Sequence, residues 1–178
     1  MHESGTVNEE IEDLLKLMVK GKANIGIGGG MGTGKTTFIN YLLSFTDPME
    51  RKTVLASVPE MSTDKVLKGH DVVILNVDES RGFTFDAHMR LALRTTADRI
   101  VIPESRGQEF KQVYEANLKT QGNMFTAHAK DDTSFFDMCV NMYLSSPEAG
   151  NEKAAPIASR FANLFSMYDP RALTSNFK

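Results

Sequence analysis

Residues 25–40 read IGIGGGMGTGKTTFIN, with glycines at 26, 28, 29, 30, 32 and 34 running into Lys35, Thr36 and Thr37. Glycine costs conformational entropy inside a strand or helix, so glycines this close together mark a place where the backbone itself must be approached. NIGIG before them is short and apolar, and KTTFINYLLSF after them resumes helical spacing, so the glycines join a strand to a helix. In that setting Gly29–Thr36 fits the pattern G-x-x-x-x-G-K-[ST], a loop whose inward N–H groups and helix N-terminus cradle a polyphosphate. The expected nucleotide contacts are Gly29, Gly30, Met31, Gly32, Thr33, Gly34, Lys35, Thr36 and Thr37. Lys35 is expected to reach the β and γ phosphates of a bound nucleotide, Thr36 to give a hydroxyl to Mg2+, and Thr37 to lie near the α phosphate.

On either side of the loop the chain alternates between two periodicities. Residues 7–20, VNEEIEDLLKLMVK, put Val7, Ile11, Leu14, Leu15 and Met18 on one helical face, with Thr6 and Glu9 as a capping box. TVLASV at 53–58 and DVVILNV at 71–77 predict two neighbouring buried strands. A helix over 84–96, a strand RIVIP at 99–103, a helix over 108–120, a strand NMFTAHA at 123–129 and a helix over 132–146 follow. From 147 onward the pattern weakens: SPEAGNEKAAP reads as loop or loose helix, and IASRFANLFSMY as helix or strand. The alternation predicts an α/β fold, a mostly parallel sheet flanked by helices.

Composition bounds the possibilities. A chain of 178 residues with 41% hydrophobic content can bury one sizeable core, which predicts a single domain over 1–178. A net charge of -3 and a pI of 5.8 supply no general attraction to nucleic acid, and no direct nucleic-acid binding is expected. The single cysteine, Cys139, lies in the apolar run FFDMCVNMYL and excludes an internal disulfide. The longest aliphatic run, VVIL at 72–75, falls far short of the roughly 20 residues a membrane span needs, and the N-terminus lacks the basic and apolar regions of a signal peptide. A cytoplasmic location is expected.

Four further features bear on chemistry. Glu104 follows the strand RIVIP, where an open parallel sheet binds its ligands, and is the expected residue for orienting or polarising water. Glu60, in SVPEM, offers a second carboxylate after another apolar strand. His128 closes the strand NMFTAHA; by itself, a histidine there is more often structural than catalytic. Arg90, Arg94, Arg99 and Arg106 surround the strand bearing Glu104 as candidates for stabilising transition-state charge, and the sequence does not choose among them. No Asn-Lys-x-Asp guanine-reading motif occurs, and no basic lid of the small-molecule-kinase kind is evident.

Taken in order, GGMGTGKTT, SVPEM, IVIPESRG and GNMFTAHAK resemble the P-loop, Asp box, Walker B element and His box of the type II and type IV secretion ATPases. The resemblance covers roughly residues 4–165, is clearest over about 22–130, and looks closest to the branch that powers tight-adherence pili and conjugation machines. It implies a RecA-like P-loop core that hydrolyses Mg-ATP, with His128 as a phosphate sensor, Glu60 as partner of Glu104, and Arg94 among the catalytic residues. It also implies a homo-hexamer at the inner face of a membrane, working with embedded secretion or pilus components, and a covering N-terminal domain outside this chain. An ATP-binding regulatory or assembly module with little turnover is the alternative, with a small-molecule kinase behind it. The chain departs from the pattern in TADR, where Thr96 takes the place of an arginine, and at Pro103, where glycine is usual.

Overall fold

The apolar spacing and caps of the chain become five strands and five helices in a computed structural model that describes residues 7–57, 67–105, 107–129 and 132–146. Helix α1 spans Glu9–Lys20, with three acidic side chains in its first turn and Lys20 in its last, each favourable to the helix dipole. Its cap is Asn8, whose Oδ1 accepts from the Ile11 amide at 2.8 Å; Thr6, expected in that role, lies outside the described residues. Strand β1 (Ile25–Gly29) leads into α2 (Lys35–Leu43), and β2 (Lys52–Ala56) precedes β3 (Val72–Asn76). Helix α3 (Phe85–Arg94), β4 (Arg99–Ile102), α4 (Phe110–Lys119), β5 (Met124–His128) and α5 (Asp132–Leu144) complete the order. Thr84 caps α3 by accepting from the Ala87 amide at 3.2 Å.

All strand pairs are parallel, in the order β1-β5-β4-β2-β3. Because strand side chains alternate between faces, one sequence feeds two cores. Val54, Val101 and Met124 face a core shared with α1 and α2, while Leu55, Ile100, Ile102 and Phe125 face the core of α3, α4 and α5. Cys139 is enclosed in the second core, where burial pushes its thiol pKa up to about 12. The expected pairing of β2 with β3 is present, from Lys52↔Val72 to Ala56↔Asn76. The expected burial of both is not. β3 is the outer strand among the described residues, and Val73 and Ile74 remain 39% and 40% exposed because no described strand lies beyond them. An apolar run alone does not say whether a strand is central or at an edge.

Parallel strands put every strand start at one sheet edge and every strand end at the other. The starting edge is tied by a buried cation. Arg99, 1% exposed, pairs through Nε with Glu50 Oε2 at 2.5 Å and donates to the carbonyls of Val19 at 2.8 Å and Gly122 at 3.2 Å. It thereby joins the end of α1, the α2–β2 loop, β4 and the α4–β5 loop. Beside it Lys52, fully enclosed, donates to the carbonyls of Asp47 and Glu50 at 2.5 and 2.8 Å, and burial pushes its pKa below the usual lysine range. Arg99 is therefore a structural tie and not a charge stabiliser for phosphoryl transfer, which corrects its candidacy. Arg99→Met is expected to cost about 3 kcal/mol in urea unfolding, the low end for a broken buried pair, because Glu50 keeps partial exposure and Lys22 at 3.6 Å. A loss below about 1 kcal/mol would contradict this role.

Candidate nucleotide site

β1 delivers the glycine loop to the ending edge of the sheet. There the chain turns through Gly32 (φ 71°) and Gly34 (φ 84°), left-handed conformations that L side chains rarely adopt, before α2 begins at Lys35. Thr33 Oγ1 donates to the Gly30 carbonyl at 2.9 Å and closes the turn; a Cβ at Gly29 would lie 2.7 Å from that hydroxyl. The first turn of α2 carries no acidic residue and its cap offers no side-chain acceptor, so its amides and the positive end of its dipole are left for an anion. Met31, 90% exposed at the loop tip, can contribute only its backbone.

Lys35 bends back over the loop, with Nζ 2.7 Å from the Gly30 carbonyl, 3.0 Å from that of Gly29 and 3.4 Å from His128 Nδ1. His128 Nε2 stands 3.3 Å from Glu104 Oε1. In the neutral Nε2–H tautomer the ring accepts from Lys35 and donates to Glu104, giving an unbroken chain of cation, imidazole and carboxylate. Both of its last two members remain partly open to solvent, 43% for His128 and 30% for Glu104.

Backbone pairing puts these groups together. Gly29 is the register partner of His128, and the Ala129 amide donates to the Gly29 carbonyl at 3.3 Å. Just past β4, the Ser105 amide donates to the Thr126 carbonyl at 2.8 Å and Thr126 Oγ1 donates to the Pro103 carbonyl at 2.5 Å. Glu104 lies between those anchors. Thr126 was not legible as part of the site, since a buried strand threonine has no distinguishing sequence signal.

The remaining predicted residues fall in three places. Thr36 and Thr37 sit in the first turn of α2, half-buried and exposed. Glu60 and Arg106 lie outside the described residues. Arg94 ends α3 at the opposite edge of the sheet, where the next carbonyl, that of Thr95, accepts from Arg51 at 3.3 Å before β2 begins. A helix returning from the end of β3 to the start of β4 must finish there, so Arg94 does not reach the loop of its own chain. Arg90 pairs with Asp86 on the exposed face of α3.

A parallel sheet with a glycine loop between β1 and α2, and a lysine, histidine and carboxylate at the strand ends, defines a P-loop type of α/β domain. The chain belongs to the family described as Type II/IV secretion system protein, which matches residues 1–142. It is 31% identical over 121 residues to the type IV secretion system protein PtlH of Bordetella pertussis, covering 66% of this chain and 36% of that protein. It is 27% identical over 149 residues to VirB11 of Bartonella quintana, covering 82% and 41%. The fold is similar to the VirB11 ATPase of the Brucella suis type IV secretion system, with a TM-score of 0.76 and 23% identity over 92% of this chain and 45% of that one. The chain thus spans less than half the length of each of these proteins. The expected family and α/β core are both present.

Since a Cβ at Gly34 meets nothing within 4 Å, the cost of Gly34→Ala is conformational, about 1–2 kcal/mol. The melting temperature is expected to fall by about 2–8 °C. An unchanged or higher value would show that the loop relaxes out of this conformation at no cost.

Proposed function

We propose that this chain is the ATPase domain of a bacterial secretion, pilus or conjugation motor, binding and hydrolysing Mg-ATP. The observation that carries the reading is the contact chain Gly30–Lys35–His128–Glu104 at the mouth of an uncapped helix. Support comes from the family membership and from the Brucella suis relative, an ATPase described in complex with sulphate.

In this reading the amides of Gly29–Thr37 hold the phosphate chain, and Lys35 exchanges its bonds to the Gly29 and Gly30 carbonyls for β- and γ-phosphate oxygens. Glu104 orients the attacking water and takes up its proton; Glu60 is its proposed partner. His128, one hydrogen bond from both Lys35 and Glu104, faces the γ-phosphoryl group and ties phosphate position to carboxylate position. Among the described residues no group of three or more His, Cys, Asp and Glu side chains gathers to cage a metal. The donor set suits a magnesium ion that arrives with the phosphates, held by the Thr36 hydroxyl with Glu104 nearby, where it would neutralise phosphate charge.

No helix among the described residues is long and apolar enough to cross a membrane. A cytoplasmic ring, a homo-hexamer at the inner membrane face working with embedded components, is the proposed setting. Within such a ring, any role for Arg94 in catalysis would be played toward a neighbouring subunit's site. Specific ATPase activity is then expected to climb with protein concentration, followed by sedimentation in parallel; a high rate that stays flat from dilute monomer upward would show the site complete in one chain.

Lys35→Ala is expected to weaken ATP binding at least tenfold, the scale of one lost charge-assisted hydrogen bond, in a calorimetric titration with a non-hydrolysable analogue. Near-normal affinity in a folded variant would remove the loop from the mechanism. Glu104→Gln is expected to retain affinity while phosphate release drops by a factor of about 10² or more. Wild-type turnover in that variant would move the water-orienting role to Glu60.

A further inference from the structure

Two of the glycines that announce the phosphate loop do not touch it. Gly26 and Gly28 lie within β1 and share the face covered by α5, while Ile25 and Ile27 face the other core. Over that face lies the ring of Phe135. A Cβ at Gly26 would stand 2.9 Å from its Cζ, and a Cβ at Gly28 would stand 2.8, 3.1 and 3.3 Å from its Cδ2, Cγ and Cβ. The side chain therefore runs lengthwise along the strand, occupying space that any other residue at 26 or 28 would need. It stacks on Phe125 of β5, centroids 6.0 Å apart and planes 17° from parallel, and the Phe125 ring itself closes over Gly26, with Cζ 2.7 Å and Cε1 3.1 Å from a Cβ placed there. Phe125 is itself the register partner of Gly26.

One aromatic side chain thus bridges β1 and β5 at the pairs just before Gly29↔His128. β1 has a single strand neighbour among the described residues, so its place rests on that ladder and on what packs against its faces. We propose that Phe135 is a positioning residue: it clamps the loop-bearing strand against β5 and so sets the Gly29 and Gly30 carbonyls, and with them Lys35, at their distance from His128. The Gly26-x-Gly28 pair is the other half of this device. Its consequence for turnover rests on the nucleotide reading above, whereas its effect on the strand does not.

Three full-length variants test the clamp: Phe135→Leu, Gly28→Ala and the double substitution. Hydrogen exchange of peptides covering 23–34 is read beside those covering β2 and β4, together with kcat and KM for ATP. Phe135→Leu, which keeps an apolar side chain and the fold, is expected to speed exchange in β1 at least tenfold while leaving β2 and β4 protected, and to lower kcat at least fivefold. Gly28→Ala, whose methyl group overlaps the ring, is expected to act likewise, and the double variant to be less impaired than the product of the two single effects. Unchanged β1 exchange in folded Phe135→Leu protein, strictly multiplicative effects, or faster exchange with wild-type kcat would each overturn the proposal. Should the wild-type chain bind no ATP, the nucleotide reading fails by itself, and exchange and coupling still decide whether Phe135 holds the strand.

Discussion

Gly29 stands beside His128 because β1 and β5 pair in parallel, in a register that runs unbroken from Ile25↔Met124. The rest of the site depends on that ladder. It brings two segments about a hundred residues apart in the chain to one edge, sets Lys35 Nζ 3.4 Å from the histidine, and leaves the ring's other nitrogen for the carboxylate that follows β4. A slip of one residue would turn every side chain of β1 to the opposite face, so the register is held as firmly as the two cores it feeds.

The two edges of the sheet divide the work. At the strand starts Arg99 and Lys52 are enclosed and bonded to backbone carbonyls, Arg99 also to the Glu50 carboxylate. At the strand ends Lys35, His128 and Glu104 stay partly open, joined by contacts of 3.3 to 3.4 Å. A cation held by short bonds inside protein resists movement, whereas a solvent-facing cation on two backbone carbonyls can trade them for phosphate oxygens. Basic residues close together in the sequence around β4 thus serve unlike ends: Arg99 ties the scaffold, Arg90 pairs on a surface, and Arg94 closes a helix far from the loop.

Glycine has two distinct uses in the same short stretch. Gly32 and Gly34 supply left-handed turns, and Gly29 makes room for the Thr33 hydroxyl. Gly26 and Gly28 make room for aromatic rings, that of Phe135 from the last described helix over both and that of Phe125 from β5 over Gly26. The loop and the strand carrying it are thereby bound to opposite layers of the domain, α2 on one side and α5 on the other.

The sequence by itself determined the alternation of strands and helices, the phosphate-binding loop and the family, because these are written in local periodicity and in residue types at fixed spacing. It also nominated Glu104, since it follows an apolar strand and the strand ends of a parallel sheet share an edge, and His128 through the resemblance of GNMFTAHAK to the family's His box. Only the tertiary structure decided that β3 lies at an edge with Ile74 exposed, that Asn8 caps α1, and that Arg99 is buried while Arg94 ends at the wrong edge for its own loop. Strand order, side-chain burial and the direction a helix returns are set by contacts between segments far apart in the chain, and no local pattern of residues encodes them.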